Sequence, residues 1–113
     1  MNTLFIFNDD PSRLEKAFHG LRLATALSKQ DASTVRIFLF ADGVRMLDDA
    51  SNGEFDASEL TSALAQLAVP VGACASCLDK RGLANSSLPP NALRASLNDA
   101  TEWTRWATRV LVY

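Results

Sequence analysis

Thr3-Leu4-Phe5-Ile6-Phe7, followed at once by Asn8-Asp9-Asp10-Pro11, decides how this chain is read. A short run of aromatic and branched apolar side chains, without polar alternation and closed by turn formers, suits a strand buried on both faces. Such a strand belongs in a parallel sheet covered by helices on either side. Downstream, Ser12-Arg13-Leu14-Glu15 has capping-box spacing, with Asp10 before proline as an alternative cap, and it opens a helical pattern reaching about Ser28. Leu14, Ala17, Phe18, Leu21 and Thr25 share one face, while Leu23 and Leu27 lie on the far side. A helix apolar on two faces is expected to be covered twice, by the sheet and by a second surface, which points to a homo-oligomer.

Further along, Val35 to Phe40 reads as strand two, ended by Asp42-Gly43. Val44 to Asp56 is mixed, and Asp48 to Glu54 is polar enough to be expected as a mobile loop. Helical spacing resumes over Ala57 to Ala68 through Leu60, Leu64 and Leu67. Val69 to Ala73 is the third strand despite Pro70 near its start. A short helix is expected after Cys74, a turn over Asn85 to Pro90, and another helical turn or two over Ala92 to Leu97. The last helix begins near Asn98 with Trp103, Trp106, Ala107 and Val110 on one stripe, and Val110 to Tyr113 closes the chain as strand four. No internal repeat, low-complexity tract or linker divides the sequence.

Strands alternating with helices imply right-handed crossovers and an α/β, doubly wound, mostly parallel four-stranded sheet with helices on both faces. In such folds reactive groups gather at the carboxyl ends of strands, near the point where strand order reverses. An order of 2-1-3-4 puts that reversal between strands one and three, and so sets Asn8 or Asp9 beside Cys74.

At 113 residues and 48% hydrophobic content the chain closes one core, so residues 1–113 are expected to form a single domain. A formal charge of −2, with the basic residues scattered, argues against nucleic acid as a partner. No run has the length of a membrane span, which argues against a membrane. Met1 to Asn8 lacks the basic flank and apolar length of a secretory leader. The expected location is therefore cytoplasmic, where thiols stay reduced, and a cysteine pair there reads as catalytic, redox-active or metal-binding before it reads as a structural disulfide.

The two cysteines stand together in Gly72-Ala73-Cys74-Ala75-Ser76-Cys77-Leu78-Asp79-Lys80-Arg81-Gly82-Leu83, directly after the third strand. Unpaired backbone N–H groups at the start of a helix favour thiolate over thiol, and Lys80 and Arg81 add positive charge. Thiolate is the form that attacks a persulfide or disulfide, so the arrangement suits sulfur transfer or thiol exchange. The plainer alternative is that the cysteines are small buried apolar residues. A structural zinc site needs more ligands than two cysteines and the distant His19, so no metal and no cofactor are expected, and His19 reads as a surface residue. Asp9, Asp10, Asp48 and Asp49 are explained as caps and loop residues, and Gly72 and Gly82 lack phosphate-loop spacing. Trp103 and Trp106 read as core or subunit-contact residues.

Four pieces of the sequence together resemble the DsrE/DsrF-like family of small sulfur-relay proteins, which includes Tus-type subunits. They are Phe7-Asn8-Asp9-Asp10, Gly20-Leu21-Arg22-Leu23-Ala24, Phe38-Leu39-Phe40-Ala41-Asp42-Gly43-Val44, and Cys74 with Gly82 eight positions on in Lys80-Arg81-Gly82-Leu83. The resemblance spans nearly the whole chain. It implies a doubly wound sheet of flavodoxin-like order, assembly into trimers or hexamers, and carriage of sulfane sulfur as a persulfide. By its spacing to Arg81-Gly82 the family's sulfur-accepting cysteine falls on Cys74. The leading expectation is thus a sulfur carrier, acting as a transferase-like protein more than a turnover enzyme, that takes sulfur from a donor protein and hands it to an acceptor protein. Cys77 would resolve or modulate it, Lys80, Arg81 and the helix start would stabilise the thiolate, and Asn8 and Asp42 would shape the pocket. Two other readings stand beside it: a dithiol oxidoreductase cycling between Cys74 and Cys77, and a non-catalytic oligomeric binding module.

Overall fold

The computed structural model describes residues 1–48 and 53–113. The segment expected as a mobile loop therefore lies partly outside the described residues, and Asp49 with it. In chain order the elements are β1 (Asn2–Phe7), α1 (Glu15–Ser28), β2 (Thr34–Leu39), a 3-10 helix (Ala41–Leu47), α2 (Ser58–Gln66), β3 (Val71–Cys74), α3 (Ala75–Lys80), β4 (Ala92–Ala95), α4 (Leu97–Trp106) and β5 (Arg109–Val112).

All four strand pairings are parallel, and the sheet is ordered β4-β3-β2-β1-β5. The α/β class and the helices on both faces are as the sequence implied, but the sheet has five strands, not four. The extra strand, β4, is the segment expected to continue as helix. Its backbone instead pairs with β3 from Val71↔Ala92 to Cys74↔Ala95, and Asn91 Nδ2 donates to the Val69 carbonyl at 2.8 Å, which fixes its entry.

The 2-1-3-4 order is also overturned. β2 lies between β1 and β3, pairing with β1 from Asn2↔Thr34 to Phe7↔Leu39 and with β3 from Ile37↔Val71 to Leu39↔Ala73. Each of the first three crossovers steps to the neighbouring position, the commonest arrangement for consecutive strands. The chain then returns across the sheet through α4 to place β5 on the other side of β1. The reversal accordingly lies between β1 and β5, where the Asn8 N–H donates to the Tyr113 carbonyl at 2.6 Å. Asn8 and Asp9 are not beside Cys74; the whole of β2 intervenes.

Alternation along the strands divides the core in two. Phe5, Phe7, Ile37, Leu39, Val71 and Ala73 pack with Ala17, Leu21 and Ala24 of α1, Leu64 of α2 and Leu78 of α3. Leu4, Phe38 and Ala95 pack on the other face with Ala100 of α4, and half-buried Trp103 and Trp106 complete that group. The Trp103 ring meets Phe38 edge-on at 5.8 Å, and the Arg36 guanidinium lies 4.1 Å from the Trp106 ring centre. The tryptophans are thus packed within the protomer.

Helix starts differ from the sequence reading. The Ser12–Glu15 capping box does not form: α1 begins at Glu15, and Leu14 at its N-cap makes no side-chain cap bond. Asp10 Oδ1 instead accepts from the Ser12 N–H (2.9 Å) and hydroxyl (2.8 Å), shaping the turn before the helix. A capping box does form at α4, where Ser96 Oγ accepts from the Asp99 N–H and Asp99 Oδ2 accepts from the Ser96 N–H.

Candidate functional site

Cys74 is the last residue of β3 and the N-cap of α3, and Cys77 lies one turn into that helix. At this point the side-chain period changes from two to 3.6, which separates the surroundings of the two thiols. Cys74 packs against the α4-side cluster, whereas Cys77 packs against the core beneath α1 and α2. Both thiols are free and half-buried.

Burial opposes ionisation of Cys74, but the donors around it prevail. The Ser76 hydroxyl, 3.4 Å from Sγ, comes first among them, followed by the Cys77 N–H, the Cys77 thiol and the Ser76 N–H. Together they hold the Cys74 thiol below its ordinary range. For Cys77 the balance runs the other way. Burial and its hydrogen bond to Cys74 raise it, the charge on Cys74 adds to this, and the Ala41 N–H and the Arg81 charge oppose without reversing it. The surroundings therefore separate the two thiols, lowering Cys74 and raising Cys77.

The wall opposite Cys77 is the exit of β2. The Ala41 N–H donates to Cys77 Sγ at 3.2 Å. Ala41 has φ of 48°, a left-handed conformation uncommon outside glycine. The turn that imposes it is anchored on both sides: the Phe40 N–H donates to the Phe7 carbonyl at 3.0 Å, and the Gly43 N–H donates to Phe40 at 2.8 Å and to Asn8 at 3.2 Å. A β-carbon on Gly43 would lie 2.0 Å from the Phe7 carbonyl oxygen, so only glycine permits this approach.

Arg81 ties the two elements together from outside. Its Nε donates to Asp42 Oδ1 at 2.8 Å and its Nη1 to the Cys77 carbonyl at 3.2 Å. Asp42 thus acts on the pair through Arg81. Lys80 is exposed at the end of α3, and of the two cations it is Arg81 whose charge bears on Cys77. Gly82 ends the helix with φ of 71° in a Schellman pattern, its N–H donating to Asp79 and the Leu83 N–H to Leu78. Among the described residues, Asn8 is tied to this region through its carbonyl, which accepts from the Gly43 N–H at 3.2 Å.

Two contributors were not legible as site residues in the sequence. Ser76 carries a faint signal, a hydroxyl two positions after a cysteine; Ala41 carries none, because an alanine does not advertise a left-handed backbone. His19 lies on exposed α1 surface with Nε2 3.4 Å from Glu15. Among the described residues no group of three or more His, Cys, Asp or Glu side chains is placed to hold a metal. The larger cleft, about 370 Å³, is lined by Asp10, Arg45, Phe55 and Ser58 among others and by nothing from β3 or α3. A second, of about 310 Å³, is lined by Phe40, Leu97, Ala100 and Thr104 among others, and it shares Phe40 and Ala100 with the cluster that holds Cys74. Chemistry, not cavity size, makes the cysteine pair the candidate site.

A family model described as DsrE/DsrF-like matches residues 1–113. The chain is 31% identical over 113 residues to Protein YchN of Escherichia coli K12, covering 97% of each. The crystal structure of the E. coli ychN protein superposes with a TM-score of 0.84 at 28% identity, covering all of both chains. The archaeal protein MTH1491 from Methanobacterium thermoautotrophicum, at 17% identity and a TM-score of 0.68 over 99% of this chain and 97% of its own, shares the fold.

Proposed function

The chain belongs to the DsrE/DsrF-like family, and from that premise we propose that it is a sulfur-relay protein carrying sulfane sulfur as a persulfide on Cys74. The observation that carries this reading is the place of Cys74, half-buried at the exit of β3 and the start of α3 with the Ser76 hydroxyl 3.4 Å from its sulfur, surroundings that favour its thiolate. A thiolate there attacks the outer sulfur of a donor persulfide and keeps it. The donor loses one sulfur and regains its thiolate. Loading needs a single nucleophile, so the protein acts as a carrier between a donor and an acceptor protein in a reducing compartment such as the cytoplasm, and residues 1–113 serve as one domain.

Assembly into a homo-oligomer, a trimer or hexamer, belongs to the same proposal. On the α4 side Val112 is 59% exposed and Leu97 74%, and on the outer face of α1 Leu23 is 47% exposed. Apolar side chains left open on the surface favour a protein partner. No nucleic-acid or membrane partner is invoked; among the described residues no helix is long and apolar enough to cross a membrane.

Intact mass after exposure to polysulfide tests the carrier reading. Wild type and Cys77→Ser are expected to gain about 32 Da, reversible by reductant, and Cys74→Ser to gain nothing. Loading of Cys74→Ser, or conversion of wild type to a disulfide with no loaded species from Cys77→Ser, would replace the carrier by the dithiol oxidoreductase.

A further inference from the structure

Loading as proposed needs only Cys74, yet the fold holds Cys77 with more care than a bystander needs. Its sulfur accepts from the Ala41 N–H at 3.2 Å, its carbonyl is held by Arg81 at 3.2 Å, and it stands one turn after Cys74, the N-cap of the same helix. The Ala41 donor is fixed by a backbone conformation costing about 1–2 kcal/mol for an L-residue. Strain of this kind persists only where the surrounding structure imposes it, and it gathers at functional positions.

From these contacts we propose that Cys77 discharges the sulfur carried on Cys74, releasing it as hydrosulfide and leaving a Cys74–Cys77 disulfide. The inference rests on the persulfide reading above. In the step, Cys77 Sγ bonds to Cys74 Sγ and the bond from Cys74 Sγ to the outer sulfur breaks. The bonding pair leaves with the outer sulfur, which is reduced from the sulfane to the sulfide level, while the two cysteine sulfurs are oxidised to the disulfide. The one proton the pair shares sits on the outer sulfur when Cys77 attacks as thiolate, and Cys74–S–SH plus Cys77–S⁻ gives Cys74–S–S–Cys77 plus HS⁻. No external oxidant enters. A cellular dithiol or glutathione-type thiol then reduces the disulfide and resets the site.

Geometry selects this direction of attack. Cys74 is the N-cap of α3 and Cys77 lies one turn into the same helix, so attack on Cys74 Sγ closes the disulfide within one turn. A low-pKa leaving group departs readily, and hydrosulfide is one.

The test is to load wild type, Cys77→Ser and Cys77→Ala with polysulfide, remove the donor without reductant, and follow intact mass and free sulfide. Loaded wild type is expected to fall from about 32 Da above the reduced mass to about 2 Da below it, with one sulfide released per chain, while both variants keep the added sulfur over the same interval. Retention in wild type for as long as in the variants overturns the inference and leaves the carrier reading intact. Disulfide without matching sulfide, or added sulfur mapped to Cys77, also overturns it. Failure of every form to load removes the carrier reading, and the inference with it.

Discussion

The backbone N–H of Ala41 donates to Cys77 Sγ across 3.2 Å, and this bond joins the exit of β2 to the first turn of α3. A second tie runs parallel to it, from Arg81 Nε to Asp42 Oδ1. Because the 3-10 segment also hangs on β1 through Gly43, the cysteine pair is braced by three strands of the sheet. Its chemistry is set by these braces as much as by the neighbouring thiols.

Ser76→Ala is expected to make Cys74 a weaker nucleophile at neutral pH. The Ser76 hydroxyl is the foremost of the donors that offset burial, so its loss shifts Cys74 ionisation to higher pH. Alkylation rates of Cys74 measured against pH in a Cys77→Ser background will check this. The curve should move upward in pH with the limiting rate at high pH unchanged, and an unmoved curve would show that the hydroxyl does not act on the sulfur.

Arg81→Met is expected to push Cys77 ionisation further up, because the guanidinium charge lowers it. In a Cys74→Ser background, Cys77 alkylation should begin at higher pH than with Arg81 present. Asp42→Asn should give a smaller shift in the same sense if the carboxylate acts by holding Arg81. The exposed Arg81–Asp42 pair itself should add no more than about 1 kcal/mol to stability by urea denaturation.

Two glycines separate conformational strain from steric exclusion. A β-carbon on Gly82 meets nothing within 4 Å, so Gly82→Ala should cost only the left-handed penalty, about 1 kcal/mol. Gly43→Ala drives a β-carbon into the Phe7 carbonyl, and its cost should be about 3 kcal/mol or more, with the Ala41–Cys77 contact disturbed as well. Equal losses for the two variants in urea unfolding would contradict this account of the turn.

The open apolar surface on the α4 side gives an assembly prediction. Light scattering at micromolar concentration should report a multimer, and Val112→Asp, at a residue 59% exposed on the edge strand β5, should shift it toward monomer without loss of helical circular dichroism. A monomer mass for the unaltered protein would remove the assembly part of the proposal.

The first two strands were legible because Leu4–Phe7 and Ile37–Phe40 are apolar on both faces, a pattern that a buried parallel strand requires and a surface helix does not. The same uniformity hid their neighbours. A strand buried on both sides carries no mark of which strand lies beside it, so the order, and with it the expected approach of Asn8 to Cys74, could not be read. β4 was missed because Ala92-Leu93-Arg94-Ala95 has neither alternation nor β-branched residues; pairing with β3 makes it a strand. Cys74 was placed at its strand exit correctly because the apolar run ends there. Ala41 could not be found, since its contribution is a backbone N–H whose direction depends on a turn closed against β1.

The central claim is that Cys74 holds the sulfur, and locating that sulfur tests it most directly. Wild type loaded briefly with polysulfide, blocked at once with an alkylating reagent and digested with trypsin yields a peptide from Met46 to Lys80 containing both cysteines. Fragment-ion masses should place the additional sulfur, about 32 Da, on Cys74 and leave Cys77 singly alkylated. Additional sulfur on Cys77, or on neither cysteine after a loading that modifies other thiol carriers under the same conditions, would contradict the account.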